Sequence, residues 1–138
     1  MSRETLHLLL LTHDQNEAEN IISLLRNSGK ATRAHFVESI EDFTQQLQEK
    51  VWDLVITYPQ VGDIKLQDLV AQINRLNKDL PVVLITDDGT PDAIADGLRQ
   101  GASTVLPKDA DNLLTLIIKR EVEHLFIRRD LRNTEIRC

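Results

Sequence analysis

Short continuous apolar runs alternate along the chain with longer segments in which apolar residues recur every three or four positions. The runs are Leu6–Leu11, broken only by His7, then Thr32–Val37, Asp53–Thr57, Pro81–Thr86 and Ser103–Leu106. Runs of this length bounded by turn residues predict strands, and near-continuous apolarity predicts strands covered on both faces. Between them, Ala18, Ile21, Ile22, Leu24 and Leu25 fall at helical spacing, as do Ile40, Phe43 and Leu47. Leu66, Leu69, Val70, Ile73 and Leu76 make a third apolar stripe. Start signals agree with this phasing: Asp14–Asn16 before the first helix, Ser39 with Glu41 and Asp42 at the second, Thr90-Pro91 at the fourth. Ser28-Gly29 and Gly101 mark stops, and a last helix begins near Asp111. Five strands alternating with five helices predict an α/β fold, a parallel sheet with helices on both faces.

The central run opens with Asp53, read as a charged turn residue, and stops at Tyr58-Pro59. Open α/β sheets keep their ligands at the carboxyl ends of strands, so Tyr58 is placed at the candidate crevice. A dinucleotide fold needs a Gly-rich turn after the first strand, and Thr12-His13-Asp14-Gln15-Asn16 holds no glycine. The P-loop pattern is absent as well. Net charge is −6, which disfavours nucleic acid or an anionic membrane as default partner. The lone Cys138 excludes an intrachain disulfide framework. With no signal peptide and no apolar stretch of spanning length, the expectation is a cytoplasmic protein.

The last helix changes the picture. Leu113, Leu114, Leu116, Ile117 and Ile118 suffice to cover a sheet, yet Val122, Leu125, Phe126, Ile127 and Leu131 continue the apolar content. A helix of about 20 to 25 residues, at about 1.5 Å each, is expected to project beyond a small domain. Val122, Leu125 and Phe126 are therefore expected to form a dimer seam or stalk, with residues 1–118 as the domain and 119–138 as the extension. Positive charge gathers here (Lys119, Arg120, Arg128, Arg129, Arg132, Arg137), and the Arg-rich stretch 128–137 has no interleaved aromatics, which reads as a solvated stalk face and not a nucleic-acid site. Ending on Ile136-Arg137-Cys138 without a stop signal, the chain reads as part of a longer protein.

Four stretches in order resemble a two-component receiver domain: Leu10–Glu19, Asp53–Thr57, Pro81–Thr86 and Gly101–Lys108. The resemblance implies a flavodoxin-like fold with strand order 2-1-3-4-5. It also implies a phosphorylation site built from an acceptor aspartate, an acidic pair that helps hold Mg²⁺, and a threonine and lysine for the phosphoryl oxygens. Here the acceptor position falls on Tyr58 and the acidic pair on Thr12 and His13; only Thr86 and Lys108 are retained. A tyrosine hydroxyl needs a base where a carboxylate needs none, and one histidine beside one aspartate is not a metal-site pattern. The chain is thus identified as a degenerate receiver, with no cofactor or metal implied. Two readings of Lys108 stand: an ion pair with Asp14 in place of the metal's charge, or exposure to solvent. Thr86 is either a leftover of the switch or simply a β-favouring residue. Val105 stands where many receivers carry a rotating aromatic, and the family's cis peptide is not carried over to 108–109, since Asp109 follows Lys108.

Asn16–Glu19, Arg26–His35, Trp52–Thr57 and Arg120-Glu121 are similar to the N-terminal receiver of FimX-type proteins. In that family such a receiver precedes PAS, GGDEF and EAL modules and serves cyclic di-GMP signalling and type IV pilus function. The likeness implies a non-enzymatic interaction or dimerisation module, with a homodimer, its own downstream domains, and pilus-associated or polar-localisation proteins as partners. The competing expectation is a working phospho-switch with Asp14 and Asp87 or Asp88 converging on Lys108. A stand-alone flavodoxin-like ligand binder is the third reading, disfavoured by the first loop.

Overall fold

Each predicted strand forms, and each takes its place in one parallel sheet. The computed structural model describes residues 5–29, 31–108 and 110–137, with side chains through 131. In chain order the elements are β1 (Thr5–Leu10), α1 (Gln15–Asn27), β2 (Ala31–Phe36), α2 (Ile40–Glu49), β3 (Leu54–Thr57), β4 (Gln60–Val61), β5 (Ile64–Lys65), α3 (Leu66–Arg75), β6 (Val82–Thr86), α4 (Pro91–Arg99), β7 (Thr104–Pro107) and α5 (Asp111–Arg137). The sheet runs β2-β1-β3-β6-β7, every neighbouring pair parallel. This is the expected 2-1-3-4-5 order of the five long strands. The small antiparallel pair β4–β5 has no counterpart in the sequence reading; two residues per strand are too few for a periodicity to register. Gly62, at φ 60° between its strands, takes a conformation open to glycine without steric penalty.

The caps are those the sequence signals. Asp14 accepts from Asn16 N–H ahead of α1, Ser39 from Asp42 N–H ahead of α2, and Thr90 from Ala93 N–H ahead of α4, where Pro91 fills the first turn. Each side chain satisfies a donor that the helix leaves unpaired. Successive strand residues point to opposite faces, which divides the core in two. Leu9, Val55, Leu84 and Val105 join Phe43, Leu69 and Ile73 under α2 and α3. Leu8, Leu10, Ile56 and Val83 join Ile21, Leu25, Leu114 and Ile118 under α1 and α5. α4 comes close to the sheet at Gly97, where an added Cβ would meet Leu84 and Val105 within 3 Å.

The sequence reading is revised in one place and extended in another at the opposite, N-terminal edge of the sheet. Val122 and Leu125 are not a stalk surface: they are 2% and 0% exposed, and Val122 belongs to the core cluster under α1 and α5 with Phe126 packed partly against it. Asp53, the charged residue that opens the run, precedes β3 and is buried. Both have one cause. α5 starts at the carboxyl edge of the sheet and runs back along it, and the core extends past the strands to the loops that carry Trp52 and Asp79. Arg129, 18 positions into the helix and roughly 27 Å along it, reaches that edge. Its Nη1 lies 3.0 Å from Asp53 Oδ1, and its Nη2 donates to Trp52 O at 2.7 Å and Asp79 O at 3.3 Å. Asp53 also accepts from His7 N–H at 2.8 Å. The helix therefore does not leave the domain at residue 118. The side chains of Arg132 and Arg137, together with Lys30, Asp109 and Cys138, lie outside the described residues.

Candidate functional site

The loops after β1, β3, β6 and β7 meet at the carboxyl edge of the sheet, and the residues singled out from sequence lie there. They are organised by one the sequence reading did not single out, Glu17. Its Oε2 sits 2.7 Å from Lys108 Nζ and its Oε1 accepts from Thr12 Oγ1 at 3.3 Å. The Tyr58 phenol lines the same cavity and feels that carboxylate's charge. Glu17 stands in the first turn of α1, three residues past the cap, and shares a helix face with Asn20, Ile21 and Leu24. That face borders a cavity of about 290 Å³ that also meets Tyr58, Lys108 and Leu114. The phase of α1 could have signalled this, but Asp14-Gln15-Asn16-Glu17 reads first as a capping sequence, which hides the second use of the glutamate.

Charge in the crevice is thereby settled between two side chains. Lys108, beside Glu17, holds that carboxyl below its usual range, against the opposing effect of burial. Tyr58 is half-buried, and burial first, then the Glu17 carboxylate, push its hydroxyl above its ordinary value. Both effects favour a neutral phenol over a phenolate. Tyr58 is accordingly held as a neutral phenol.

The remaining positions divide into those drawn in and those not. Thr12 is half-buried and accepts from Asp14 N–H at 3.1 Å, while His13 is exposed. Asp14 does not face Lys108; its carboxylate is spent on the α1 cap, 2.9 Å from Asn16 N. Of the two expectations for Lys108, an ion pair is realised, but with Glu17, because the cap takes Asp14 and the next carboxylate on that helix is one turn further in. Asp87 approaches Lys108 Nζ only at 3.9 Å and is otherwise exposed. Asp88 accepts from Thr90 N–H. Thr86 is buried, its hydroxyl accepting from Asp88 N–H at 3.1 Å within its own loop. Lys108 N–H donates to Thr86 O at 2.9 Å, tying the ends of β6 and β7 together. Val105 is a core residue under α4. Among the described residues no group of three histidine, cysteine or carboxylate side chains converges as a metal site; of the expected cluster around Lys108, Asp87 stands at 3.9 Å while Asp14 is turned to the cap. No helix among the described residues is long and apolar enough to cross a membrane.

Known proteins share this architecture. The chain is similar to the signal receiver domain of a Luxo repressor protein from Vibrio parahaemolyticus, with a TM-score of 0.78 and 17% identity over 92% of this chain and 97% of that one. The signal receiver domain of an HD domain-containing protein from Pseudomonas fluorescens gives a TM-score of 0.72 and 23% identity, over 88% and 98%. In sequence the chain is 25% identical over 125 residues to the transcriptional regulatory protein ZraR of Klebsiella oxytoca, covering 90% of this chain but spanning only 28% of that protein's length. The family model for the response regulator receiver domain matches residues 9–118. With that match across most of its length, and with the fold and strand order of those relatives, this chain belongs to the response regulator receiver domain family.

Proposed function

We propose that the chain is a phosphorylation-independent receiver, a protein-interaction module whose crevice is closed by internal contacts instead of a metal and a phosphoryl group. The observation that carries this reading is the Glu17–Lys108 ion pair at 2.7 Å, in a crevice where Tyr58 stands just past the end of β3. The acceptor position offers a neutral phenol where the chemistry needs an anionic oxygen, and Lys108 is already compensated by Glu17. Thr12 and His13 leave the metal without its acidic pair. The wider setting, proposed from the segment likeness alone, is the front of a FimX-type protein in cyclic di-GMP signalling and pilus-driven twitching, acting in the cytoplasm as a homodimer. The similarity to ZraR supports a second setting, a receiver ahead of a transcriptional output. The domains encoded with this chain decide between the two.

Incubation with acetyl phosphate and Mg²⁺, followed by intact-mass measurement, tests the central claim. The expected result is unchanged mass, and no change in sedimentation on adding beryllofluoride with Mg²⁺. Stoichiometric gain of a phosphoryl group, or a shift that requires the mimic, would overturn it.

A further inference from the structure

α5 is apolar on two sides. Leu114, Ile118, Val122 and Leu125 face the domain. At about 3.6 residues per turn, Leu113, Leu116, Arg120, Glu123, Ile127 and Leu131 fall within roughly 80° of one another, on the side directly away from it. All six are exposed, with Leu116 at 65%, Ile127 at 56% and Leu131 at 60%. The spacings are alternately three and four up to Ile127, the repeat of a helix–helix seam. Four large apolar side chains along one outward stripe, roughly 27 Å long, are not scattered surface residues.

The order along the stripe selects the occupant. Reversed against itself about a point near residues 121 and 122, the sequence pairs Leu113 with Leu131, Leu116 with Ile127, and Arg120 with Glu123. Each pairing occurs twice, as a two-fold axis requires. A parallel copy would instead set Arg120 against Arg120 and Glu123 against Glu123, like charges at the centre of the seam. Among the described residues neither the Arg120 nor the Glu123 side chain has a hydrogen bond or ion pair within the domain. Because the stripe faces away from the sheet, two copies joined there would keep their domains on opposite sides of the helix pair, without collision.

We propose that a second copy of this chain docks antiparallel on this outer face of α5, with Arg120 and Glu123 exchanging ion pairs across the axis. The proposal rests on the reading of the chain as an interaction module and names its surface. The surface is not the Val122–Leu125 face that the sequence suggested, and the antiparallel pairing sends the two helix ends in opposite directions.

Sedimentation equilibrium over a concentration series tests it, on the whole chain without phosphoryl mimic. The wild type is expected to form a concentration-dependent dimer. Leu116→Glu, felt twice across the axis, should weaken it roughly 100-fold. Arg120→Glu and Glu123→Arg should each weaken it, and the double variant should restore it. In a Cys138→Ser background, Leu116→Cys and Ile127→Cys proteins should cross-link when mixed and not separately. These surface changes leave the core untouched, and circular dichroism checks that each variant is folded. A wild type monomeric throughout, a double swap that fails to rescue, or cross-linking of Leu116→Cys with itself would overturn the proposal. Phosphoryl uptake, measured separately, judges the module reading and leaves this surface unaffected.

Discussion

Replacing Arg129 with methionine asks whether the far half of α5 belongs to the domain. The guanidinium meets a buried carboxylate, Asp53, at 3.0 Å and two main-chain carbonyls, those of Trp52 and Asp79. Methionine keeps most of the aliphatic bulk and removes the charge and all three donations. Breaking a buried pair from one side costs about 3–5 kcal/mol, because the abandoned charge stays buried. Two features pull the estimate down. Asp53 retains the His7 N–H at 2.8 Å, and Arg129 itself keeps about a quarter of its side chain in solvent. We expect a loss of about 2–3 kcal/mol. Urea unfolding followed by Trp52 fluorescence measures it, and for a chain of this length a two-state analysis applies. The companion variant Asp53→Asn and the double variant complete a cycle, whose coupling should exceed about 1 kcal/mol for a shared, buried contact. An Arg129→Met loss below about 0.5 kcal/mol, the level of an indifferent surface site, would refute the docking of α5 on this edge and reinstate a free stalk beyond residue 118.

Two further predictions follow from the same packing and crevice. Leu125→Ala should cost about 3 kcal/mol as a fully enclosed core truncation, while Leu116→Ala in dilute protein should cost under about 0.5 kcal/mol; equal effects in urea unfolding would contradict the assignment of inner and outer faces. Tyr58 is the only tyrosine, so ultraviolet difference absorbance reports its ionisation alone. At pH 10.0, where an unperturbed phenol is half ionised, less than half should be phenolate. A group whose pKa is raised on folding adds stability that is complete below its unfolded value and is lost as pH rises towards the folded one. Alkaline pH should therefore destabilise the domain as Tyr58 ionises, and Glu17→Gln should move the ionisation down towards 10. A Tyr58 titration with midpoint at 10 in the wild type would show that Glu17 and burial do not act on it.

Much of this protein is legible in the residue order. The apolar runs from Leu6 and Asp53 and around Pro81 and Ser103 identify strands because only a sheet covered on both faces tolerates such continuity, and Asp14, Ser39 and Thr90 identify helix starts because a short polar side chain there fills a local need. These are short-range effects, and residues within a turn of each other decide them. That the apolar run from Asp53 ends on Tyr58, the position the resemblance gives to the acceptor, is likewise legible in the residue order. What the tertiary structure alone decides is which charged group meets which across the fold. Asp14 and Glu17 lie on one helical turn, and only the packing of α1 beside α5 brings Glu17 to Lys108 and leaves Asp14 to the cap. Arg129 and Asp53 are 76 positions apart, beyond the reach of any periodicity. The two apolar sides of α5 cancel in any one-face reading of the helix, so Val122 and Leu125 pass for surface until the sheet is in place to cover them. Periodicity fixes the angle between side chains on a helix, but the core chooses which angle points inward.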